Sequence, residues 1–240
     1  MGIAALTPKK ALNNLDSKLE KYLDYKNGFF IEAGGNDGER QSNTYYLEFG
    51  KRWRGLIVEP IPELYRKCRA IRKRAIVCNR ALVSPDYKDP TLTLHYANLM
   101  SVGEGVMPPE EVKAHIKSGL ECQKIAKSYK VDVPAVTLAS LLDQYNVSDI
   151  DFLSLDIEGA ELEALKGLNL NKYRPKWILI EAGAKRFNDV DHFLRMNGYT
   201  QLEKMSHHDF LYKDKERVLL KKDRQMGREA LSLGNEWSKM

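Results

Sequence analysis

Short apolar runs alternate with amphipathic stretches along most of the chain. Five of these runs are too short for helices and mostly apolar, which predicts strands that are buried on both faces. They cover residues 29–31, 55–58, 75–78, 151–155 and 177–180. Residues 91–96 instead alternate between apolar and polar positions, which is the pattern of an edge strand.

Apolar residues at three- and four-residue spacing predict helices between these strands. The predicted helices cover residues 10–25, 42–49, 62–72, 136–145, 160–167 and 190–197. Residues 199–213 are predicted to form a closing hairpin. Residues 97–134 are predicted to form a loop and then a polar helix that ends near residue 130.

The alternation of strands and helices predicts an α/β fold, with a parallel sheet and helices on both of its faces. No internal repeat or Ser/Gly-rich linker divides the sequence. One Rossmann-like domain over residues 1–240 is the simplest organisation. It has an N-terminal helix within 1–27, a core at 28–213 and a charged, peripheral tail at 214–240.

Composition narrows the class of protein. Of the 240 residues, 43% are hydrophobic and 30% are charged, which excludes an intrinsically disordered chain. The 38 basic and 33 acidic residues leave a net charge of +5, too small an excess to indicate nucleic-acid binding. The three cysteines form no CxxC pair, which argues against a zinc site and favours a reducing, cytoplasmic location. No apolar run approaches the ~20 residues of a membrane span, and a secretory signal pattern is absent.

Candidate chemistry lies where the predicted strands end. Four strands end in an acid: Glu32, Glu59, Asp156 and Glu181. The carboxyl ends of parallel strands share one edge of the sheet, where open α/β sheets bind ligands. For any single acid, a helix cap or a surface charge is an equal alternative. All four together predict a ligand, hydrogen-bond donors or a cation that offsets their mutual repulsion.

A glycine-rich turn at residues 34–38 follows the first strand. It lacks the GxGxxG pattern of dinucleotide sites and the GxxxxGK[ST] pattern of P-loops. Glu59 ends the next strand about twenty residues further on, where an acid accepts hydrogen bonds from ribose hydroxyls. Turn and acid together indicate an adenosine-type ligand without a pyrophosphate, such as S-adenosylmethionine.

Four segments of the chain resemble the FkbM family of S-adenosylmethionine-dependent methyltransferases. They are FIEAGGNDG at 30–38, SNT at 42–44, WRGLIVEP at 53–60 and DFLSLDIEGAE at 151–161, of which the last is the most specific. The resemblance extends from about residue 28 to about residue 213. It implies a seven-stranded, mostly parallel sheet with an antiparallel last strand. It also implies methyl transfer to a hydroxyl group, commonly that of a sugar or another natural-product scaffold.

The resemblance also implies which residues contact the cofactor. The expected contacts are Glu32, Gly34, Asn36, Gly38, Ser42, Glu59, Ala81, Leu82, Ser101 and Asp156. Within this set, Glu59 takes the ribose diol, and Ala81 and Leu82 lie along the adenine. Ser42 and Ser101 are candidates for the cofactor carboxylate. Residues 97–134 match no motif, and loops at such positions usually set the choice of substrate.

The catalytic candidates are acids at the ends of two neighbouring strands. Asp156 lies opposite the cofactor turn and is expected to take the proton from the acceptor hydroxyl. Glu181 is expected beside it, so the two either share a proton or hold a divalent ion such as Mg²⁺ or Mn²⁺. Glu158 is a third candidate, and a helix-terminal charge is an equal explanation for it.

Two other features favour ordinary structural explanations. His207 and His208 are more readily a surface or core pair than a catalytic one. The basic run at residues 66–74 is more readily a solvated helix face than a nucleic-acid site, because no aromatic residues interleave with it.

The sequence therefore predicts O-methylation of a sugar, a nucleotide-linked sugar or a glycan. A methyltransferase for the ribose 2′-hydroxyl of RNA and a catalytically silent binding module with the same fold are the alternatives. An NAD-dependent oxidoreductase is disfavoured by the missing GxGxxG turn.

Overall fold

The computed structural model describes residues 8–123 and 128–215. The strands are β1 (Phe29–Ala33), β2 (Arg54–Val58), β3 (Ala75–Cys78), β4 (Ala81–Leu82), β5 (Thr91–His95), β6 (Val102–Gly103), β7 (Lys130–Val136), β8 (Phe152–Leu155), β9 (Trp177–Glu181), β10 (Tyr199–Lys204) and β11 (Asp209–Asp214). The helices are α1 (Leu15–Leu23), α2 (Tyr45–Lys51), α3 (Pro62–Ile71), α4 (Pro109–Gln123), α5 (Leu138–Gln144), α6 (Glu161–Lys166) and α7 (Ala184–Met196). Single 3₁₀ turns precede α1 and β6.

The main sheet has seven strands in the order β3-β2-β1-β8-β9-β11-β10. The five strands from β3 to β9 pair in parallel, whereas β11 is antiparallel to both of its neighbours. This arrangement confirms the predicted α/β class and the seven-stranded, mostly parallel sheet. It also places the carboxyl ends of β1, β2, β8 and β9 along one edge.

Alternating side chains of the central strands build a core on each face of this sheet. On one face Ile31, Leu153 and Ile178 belong to a buried cluster that includes residues of α5, α6 and α7. On the other face Phe30 and Phe152 pack in a cluster with α1 and α2. Helices therefore cover both faces, as the apolar runs predicted.

Several boundaries differ from the prediction. Helix α1 begins at Leu15 rather than near residue 10, because Asn13 and Asn14 adopt left-handed backbone angles with φ of 52° and 56°. Helix α7 begins at Ala184, six residues before the predicted start. The closing hairpin at 199–213 is confirmed as β10 and β11.

A second sheet, with strands in the order β4-β7-β5-β6, was only partly predicted. The edge-type strand at 91–96 is confirmed as β5, but β7 lies where a helix end and a loop were expected. Only Val133 of β7 is fully buried, so its alternation signal is weak. The apolar side of this sheet packs on Ile61 and Leu64 at the start of α3.

Within the described ranges, no helix combines the length and the apolar character that crossing a membrane requires. Cys68 and Cys78 are buried free thiols. Nearly all of the predicted charged tail, from residue 216 onward, lies outside the described residues.

Candidate active site

A cleft of about 740 Å³, including the space open to solvent, lies at the carboxyl ends of β1, β2 and β8, and we call it the central cleft. Eight of the predicted site residues line it: Gly34, Asn36, Glu59, Ala81, Leu82, Ser101, Asp156 and Glu158. The second sheet contributes Leu92 and Leu94 from β5 to its apolar side. The sheet edge therefore brings together most of the residues that the sequence singled out, from segments more than 120 positions apart.

The glycine turn lies directly against the end of β8. Gly34 has a φ of +89°, and a Cβ on it would lie 1.9 Å from the backbone oxygen of Asp156. The N–H groups of Gly34 and Gly35 both donate to the carbonyl of Val58, at 3.0 and 3.3 Å. No side chain fits at position 34, because backbone conformation and space both exclude it.

Glu59 is a buried acid whose side chain lines the central cleft. Its Oε2 accepts a hydrogen bond from the backbone N–H of Asn36 at 2.7 Å, and Oε1 accepts one from Ile61 at 2.8 Å. Burial raises the pKa of Glu59 to about 8, although these two donors act in the opposite direction. Each carboxylate oxygen keeps a lone pair for a ligand.

The apolar side of the cleft continues into a small polar loop. Ala81 and Leu82 form β4 and are buried beside it. Ser101 lines the cleft, but its hydroxyl donates to the carbonyl of Asn98 at 2.7 Å and accepts from the N–H of Ala97 at 3.0 Å. The Asn98 side chain in turn accepts from Asn36 Nδ2 at 3.2 Å, so this loop is tied to the glycine turn.

Three residues that were expected to contact the cofactor do not line the central cleft: Glu32, Gly38 and Ser42. Side chains alternate along β1, so Glu32 points to the same face as Phe30, toward α1 and α2. There it accepts hydrogen bonds from the hydroxyls of Ser42 and Thr44, at 3.0 and 2.6 Å. In this structure Glu32 and Ser42 are joined by a hydrogen bond below the glycine turn.

Arg72 completes this buried network. Its side chain is fully buried, and it donates from Nε to Glu48 Oε2 at 2.7 Å and from Nη1 to Glu32 Oε2 at 3.2 Å. Nη1 also donates to the carbonyl of Gly38 at 3.2 Å, so the network fixes the far end of the glycine turn. Arg72 is therefore an exception in the basic run, whose other members are exposed: Arg66, Lys67, Arg69, Lys73 and Arg74.

Asp156 follows β8 and separates the central cleft from a second, polar cavity. We call this the Asn43 cavity, after a residue that lines it together with Asp156, Glu181 and His208. The Asp156 side chain is accessible from the cavities but closely surrounded by protein. Its restricted hydration, a hydrogen bond with Glu181 and the nearby charge of Glu158 raise the pKa of Asp156 well above its ordinary value.

The neighbouring carboxyl group of Glu181 is among the causes of the raised pKa of Asp156. The structure thus brings together the two acids that were predicted to be neighbours. Among residues 8–123 and 128–215, no group of three or more His, Cys, Asp or Glu side chains is placed to hold a metal ion.

Glu158 contacts a histidine that the sequence did not single out. It adopts a left-handed φ of 54°, and its Oε2 lies 3.3 Å from Nε2 of His115 on α4. Burial raises the pKa of Glu158 to about 8 and lowers the pKa of His115. His115 was not predicted as a site residue, because α4 lies within the segment that matched no motif.

Glu161, the last residue of the DIEGAE segment, stabilises the turn rather than lining the central cleft. Glu161 is buried, and its Oε1 accepts hydrogen bonds from the N–H groups of Ile157 and Gly159, both at 3.0 Å. The guanidinium of Arg186 closes over Gly159, where a Cβ would lie 2.6 Å from Nη1. Four residues of the segment thus line the cleft, and Glu161 holds the backbone of the turn in place.

His207 and His208 lie in the turn between β10 and β11, with ring centroids 6.4 Å apart. Both are exposed, and both line the Asn43 cavity. The surface placement of the pair was predicted, whereas its proximity to Asp156 was not.

Comparison with known proteins gives one family. The sequence profile described as "Methyltransferase FkbM domain" matches residues 32–200. No curated protein sequence matches the chain. An FkbM methyltransferase from Methylobacillus flagellatus KT is similar in structure with a TM-score of 0.48 and 15% identity, over 78% of this chain and 43% of that one. This chain therefore spans less than half of that protein's length.

Two further solved structures are similar over most of both chains. One is a TehB-like SAM-dependent methyltransferase from Corynebacterium glutamicum, with a TM-score of 0.41, 12% identity and coverage of 84% of this chain and 88% of that one. The other is an RNA methyltransferase from Salinibacter ruber in complex with S-adenosyl-L-homocysteine, with a TM-score of 0.42, 9% identity and coverage of 86% and 92%. These likenesses concern the fold alone.

Proposed function

Because the chain belongs to the FkbM methyltransferase family, we propose that it transfers a methyl group from S-adenosylmethionine to a hydroxyl of a sugar or glycan. The observation that carries this proposal is the position of Asp156. Its carboxylate lies between the central cleft and the Asn43 cavity, so one acid faces both a cofactor-sized space and a polar one. That is where methyl transfer to an alcohol needs a proton acceptor.

The central cleft fits the cofactor by the chemistry of its lining. Glu59 presents buried acceptor oxygens for a ribose diol, and Leu82 and Leu92 provide an apolar surface for an adenine ring. Gly34 and Asn36 bring the backbone of the turn to the same space without a bulky side chain. In this proposal Glu59, Gly34, Asn36, Ala81, Leu82 and Asp156 bind the cofactor, and Glu32, Gly38 and Ser42 have the supporting role described above.

When bound, S-adenosylmethionine supplies an electrophilic methyl group on a sulfonium. The chain's own task is to hold the hydroxyl in line with that methyl group and to take its proton. The Asp156 carboxylate accepts the proton as the hydroxyl oxygen forms its new bond to carbon. Restricted hydration and the neighbouring carboxyl group of Glu181 raise the pKa of Asp156, which suits a base that acts near neutral pH.

Calorimetric titration with S-adenosylhomocysteine tests the cofactor class directly. We expect micromolar binding to the wild-type protein and none of comparable strength to NAD. Repeating the titration with Mg²⁺ or Mn²⁺ separates the shared-proton arrangement, in which the metal has no effect, from one in which Asp156 and Glu181 bind a divalent ion. Absence of S-adenosylhomocysteine binding would favour a catalytically silent binding module.

A further inference from the structure

The exposed face of α3 concentrates positive charge. Between residues 63 and 74 the exposed basic residues are Arg66, Lys67, Arg69, Lys73 and Arg74, and Glu63 is the one acid. The exposed residues of this segment therefore carry a charge of +4, compared with a net charge of +5 for the whole chain. The net charge of the protein is small, but a charge almost equal to it is located on one short segment.

These charges are not neutralised by neighbouring acids. In the described part of the chain, Arg72 is the one member of the basic run that forms ion pairs. Two exposed members bind neutral groups instead. Arg69 Nη1 donates to the Tyr65 hydroxyl at 3.4 Å, and Lys73 Nζ donates to the carbonyl of Arg69 at 3.3 Å. Like charges without counterions repel one another, and an anionic partner offsets that repulsion.

The charge continues onto the edge of the main sheet. Gly55 of β2 pairs with Ala75 of β3. The residues before them, Arg54 and Arg74, are therefore neighbours, and both are exposed. Because α3 alone has ten residues and is about 15 Å long, the charges extend too far for one small anion. A polymer with repeated negative charges matches them.

A pair of tyrosines provides aromatic surface. Tyr96 follows β5 and Tyr129 precedes β7, and the backbone N–H of Tyr96 donates to the carbonyl of Tyr129 at 2.8 Å. Their rings stack with centroids 4.6 Å apart and an angle of 26° between the ring planes. Tyr129 is 39% exposed, so the pair presents part of its aromatic surface to a ligand.

The tyrosine pair lies close to the first half of α3. The second sheet packs on the start of this helix, and Tyr96 packs against the same apolar cluster. Burial and the nearby charge of Glu63 raise the pKa values of both tyrosines, and the nearby charge of Arg66 acts in the opposite direction on Tyr129. We call the two tyrosines and the exposed basic residues of 66–74 the α3 surface.

The chemistry of the α3 surface narrows the class of partner. No exposed side chain of α3 is large and apolar, so the surface lacks the groups that insert into a lipid bilayer. Basic side chains bind phosphates, and an exposed aromatic ring beside them stacks on a base. Bases in a duplex already stack on one another, whereas those of a single strand are free to stack on a side chain. The basic run alone does not show this combination, because the tyrosines lie next to β5 and β7 in the sequence.

We propose that the α3 surface binds single-stranded nucleic acid, with phosphates at the exposed basic residues and a base stacked on Tyr129. This inference goes beyond the proposed function, because none of the residues of the α3 surface lines the central cleft. The binding does not depend on base sequence, since every nucleotide has a phosphate and every base has a π-face.

The test measures the binding of a fluorescein-labelled oligouridine RNA of about 12 nucleotides by fluorescence anisotropy, with the full-length protein. Dextran sulfate is a polyanion without bases, an RNA duplex of the same length has stacked bases, and phosphatidylserine vesicles present an anionic lipid surface. The variants are Lys67→Gln/Lys73→Gln and Tyr129→Leu. Lys113→Gln/Lys117→Gln is the matched control, because it removes two exposed lysines from α4.

We expect the wild type and the control to bind the RNA with a Kd on the order of 10 µM at low salt, and log K to fall against log salt with a slope of about −3. Lys67→Gln/Lys73→Gln should bind about tenfold more weakly, with a slope about 1.4 units shallower, because two phosphate contacts are lost. Tyr129→Leu should also bind the RNA about tenfold more weakly but should bind dextran sulfate as the wild type does, because the ring contacts a base and not a charge. The lysine variant keeps the test valid if Tyr129→Leu does not fold.

Wild-type RNA affinity in Lys67→Gln/Lys73→Gln, or an equal loss in the control, would overturn the inference, because the charge of α3 would then have no special role. Wild-type RNA affinity in a folded Tyr129→Leu, stronger binding of the duplex or the vesicles than of the single strand, and absence of RNA binding would each overturn it as well. Affinity for S-adenosylhomocysteine should be the same in all variants, so the outcome does not depend on the proposed function.

Discussion

The carboxylate of Glu59 accepts a hydrogen bond from the backbone N–H of Asn36 at 2.7 Å, across 23 positions of the sequence. The acid at the end of β2 therefore holds the glycine turn at the end of β1. The second oxygen of Glu59 accepts from Ile61 just before α3. One side chain thus fixes the shape of the cofactor-sized cleft and presents its remaining lone pairs to it.

Replacing Glu59 should weaken cofactor binding. Above about pH 8, where Glu59 is ionised, we expect Glu59→Gln to lower the affinity for S-adenosylhomocysteine by ~1.5–3 kcal/mol, the scale of a hydrogen bond to a charged group. Glu59→Ala should lower it further, because the N–H groups of Asn36 and Ile61 also lose their acceptor. Titration calorimetry measures both, with Glu63→Gln on the exposed side of α3 as the control. Unchanged affinity in Glu59→Gln would remove the ribose assignment.

Stability should fall as the pH rises from about 4.5 to about 8. Burial raises the pKa of Glu59 and that of Glu158 from 4.5 to about 8. The native state therefore keeps two protons that the unfolded chain has already released. Unfolding free energy is highest at the acid end of this window and declines until the pH passes about 8.

The measurement for this prediction is the melting temperature between about pH 5 and about pH 8, for the wild type and for the double variant Glu59→Gln/Glu158→Gln. The wild type should lose more stability across this range than the double variant, which has no proton to release at either position. Parallel curves would show that these carboxyl groups do not retain protons in the folded protein.

We expect substitution of Arg72 to lower the free energy of unfolding more than substitution of the exposed basic residues near it. Arg72→Met leaves Glu32 and Glu48 buried without their cation, which we expect to cost about 3–5 kcal/mol of unfolding free energy. Arg69→Met removes an exposed arginine three residues earlier and should change stability by less than about 0.5 kcal/mol. Urea denaturation of the two variants makes the comparison. Similar midpoints for both would contradict a structural role for the buried network.

Gly34 should tolerate no side chain. Gly34→Ala combines a φ of +89° with a Cβ 1.9 Å from the backbone of Asp156. Gly105→Ala is a matched control, because its φ is +79° but nothing lies within 4 Å of the added Cβ. We expect the control to lose about 1–2 kcal/mol from the left-handed conformation alone. Gly34→Ala should lose more and should also weaken S-adenosylhomocysteine binding, and equal losses would rule out the close approach.

The sequence predicted the main sheet well because its strands are buried on both faces. Runs such as 55–58 and 151–155 have few polar positions, so periodicity and length identify them without tertiary information. Strand β7 was missed for the opposite reason, since it lies in a small sheet and buries one side chain fully. The start of α1 depends on two left-handed asparagines that the apolar spacing does not reveal.

The site was predictable where the end of a strand determines position, as for Glu59 and Asp156. It was not predictable where the direction of a side chain decides the outcome. Glu32 directly follows the apolar run at residues 29–31. Only the alternation of side chains along β1 shows that the Glu32 side chain points away from the central cleft. His115 contacts Glu158 across 43 positions, a proximity that no local pattern encodes.

The most direct test of the account is the parallel measurement of methyl transfer and cofactor affinity in Asp156→Asn. Methyl transfer from S-adenosylmethionine to a sugar acceptor should be abolished, because the amide that replaces the Asp156 carboxylate is not able to accept the hydroxyl proton. Affinity for S-adenosylhomocysteine should stay within about tenfold, since the glycine turn and Glu59 are unchanged. Asp189→Asn, at an exposed position on α7, should keep wild-type values of both. Wild-type turnover in Asp156→Asn would contradict the account, because it would show that the proton leaves the hydroxyl by another route.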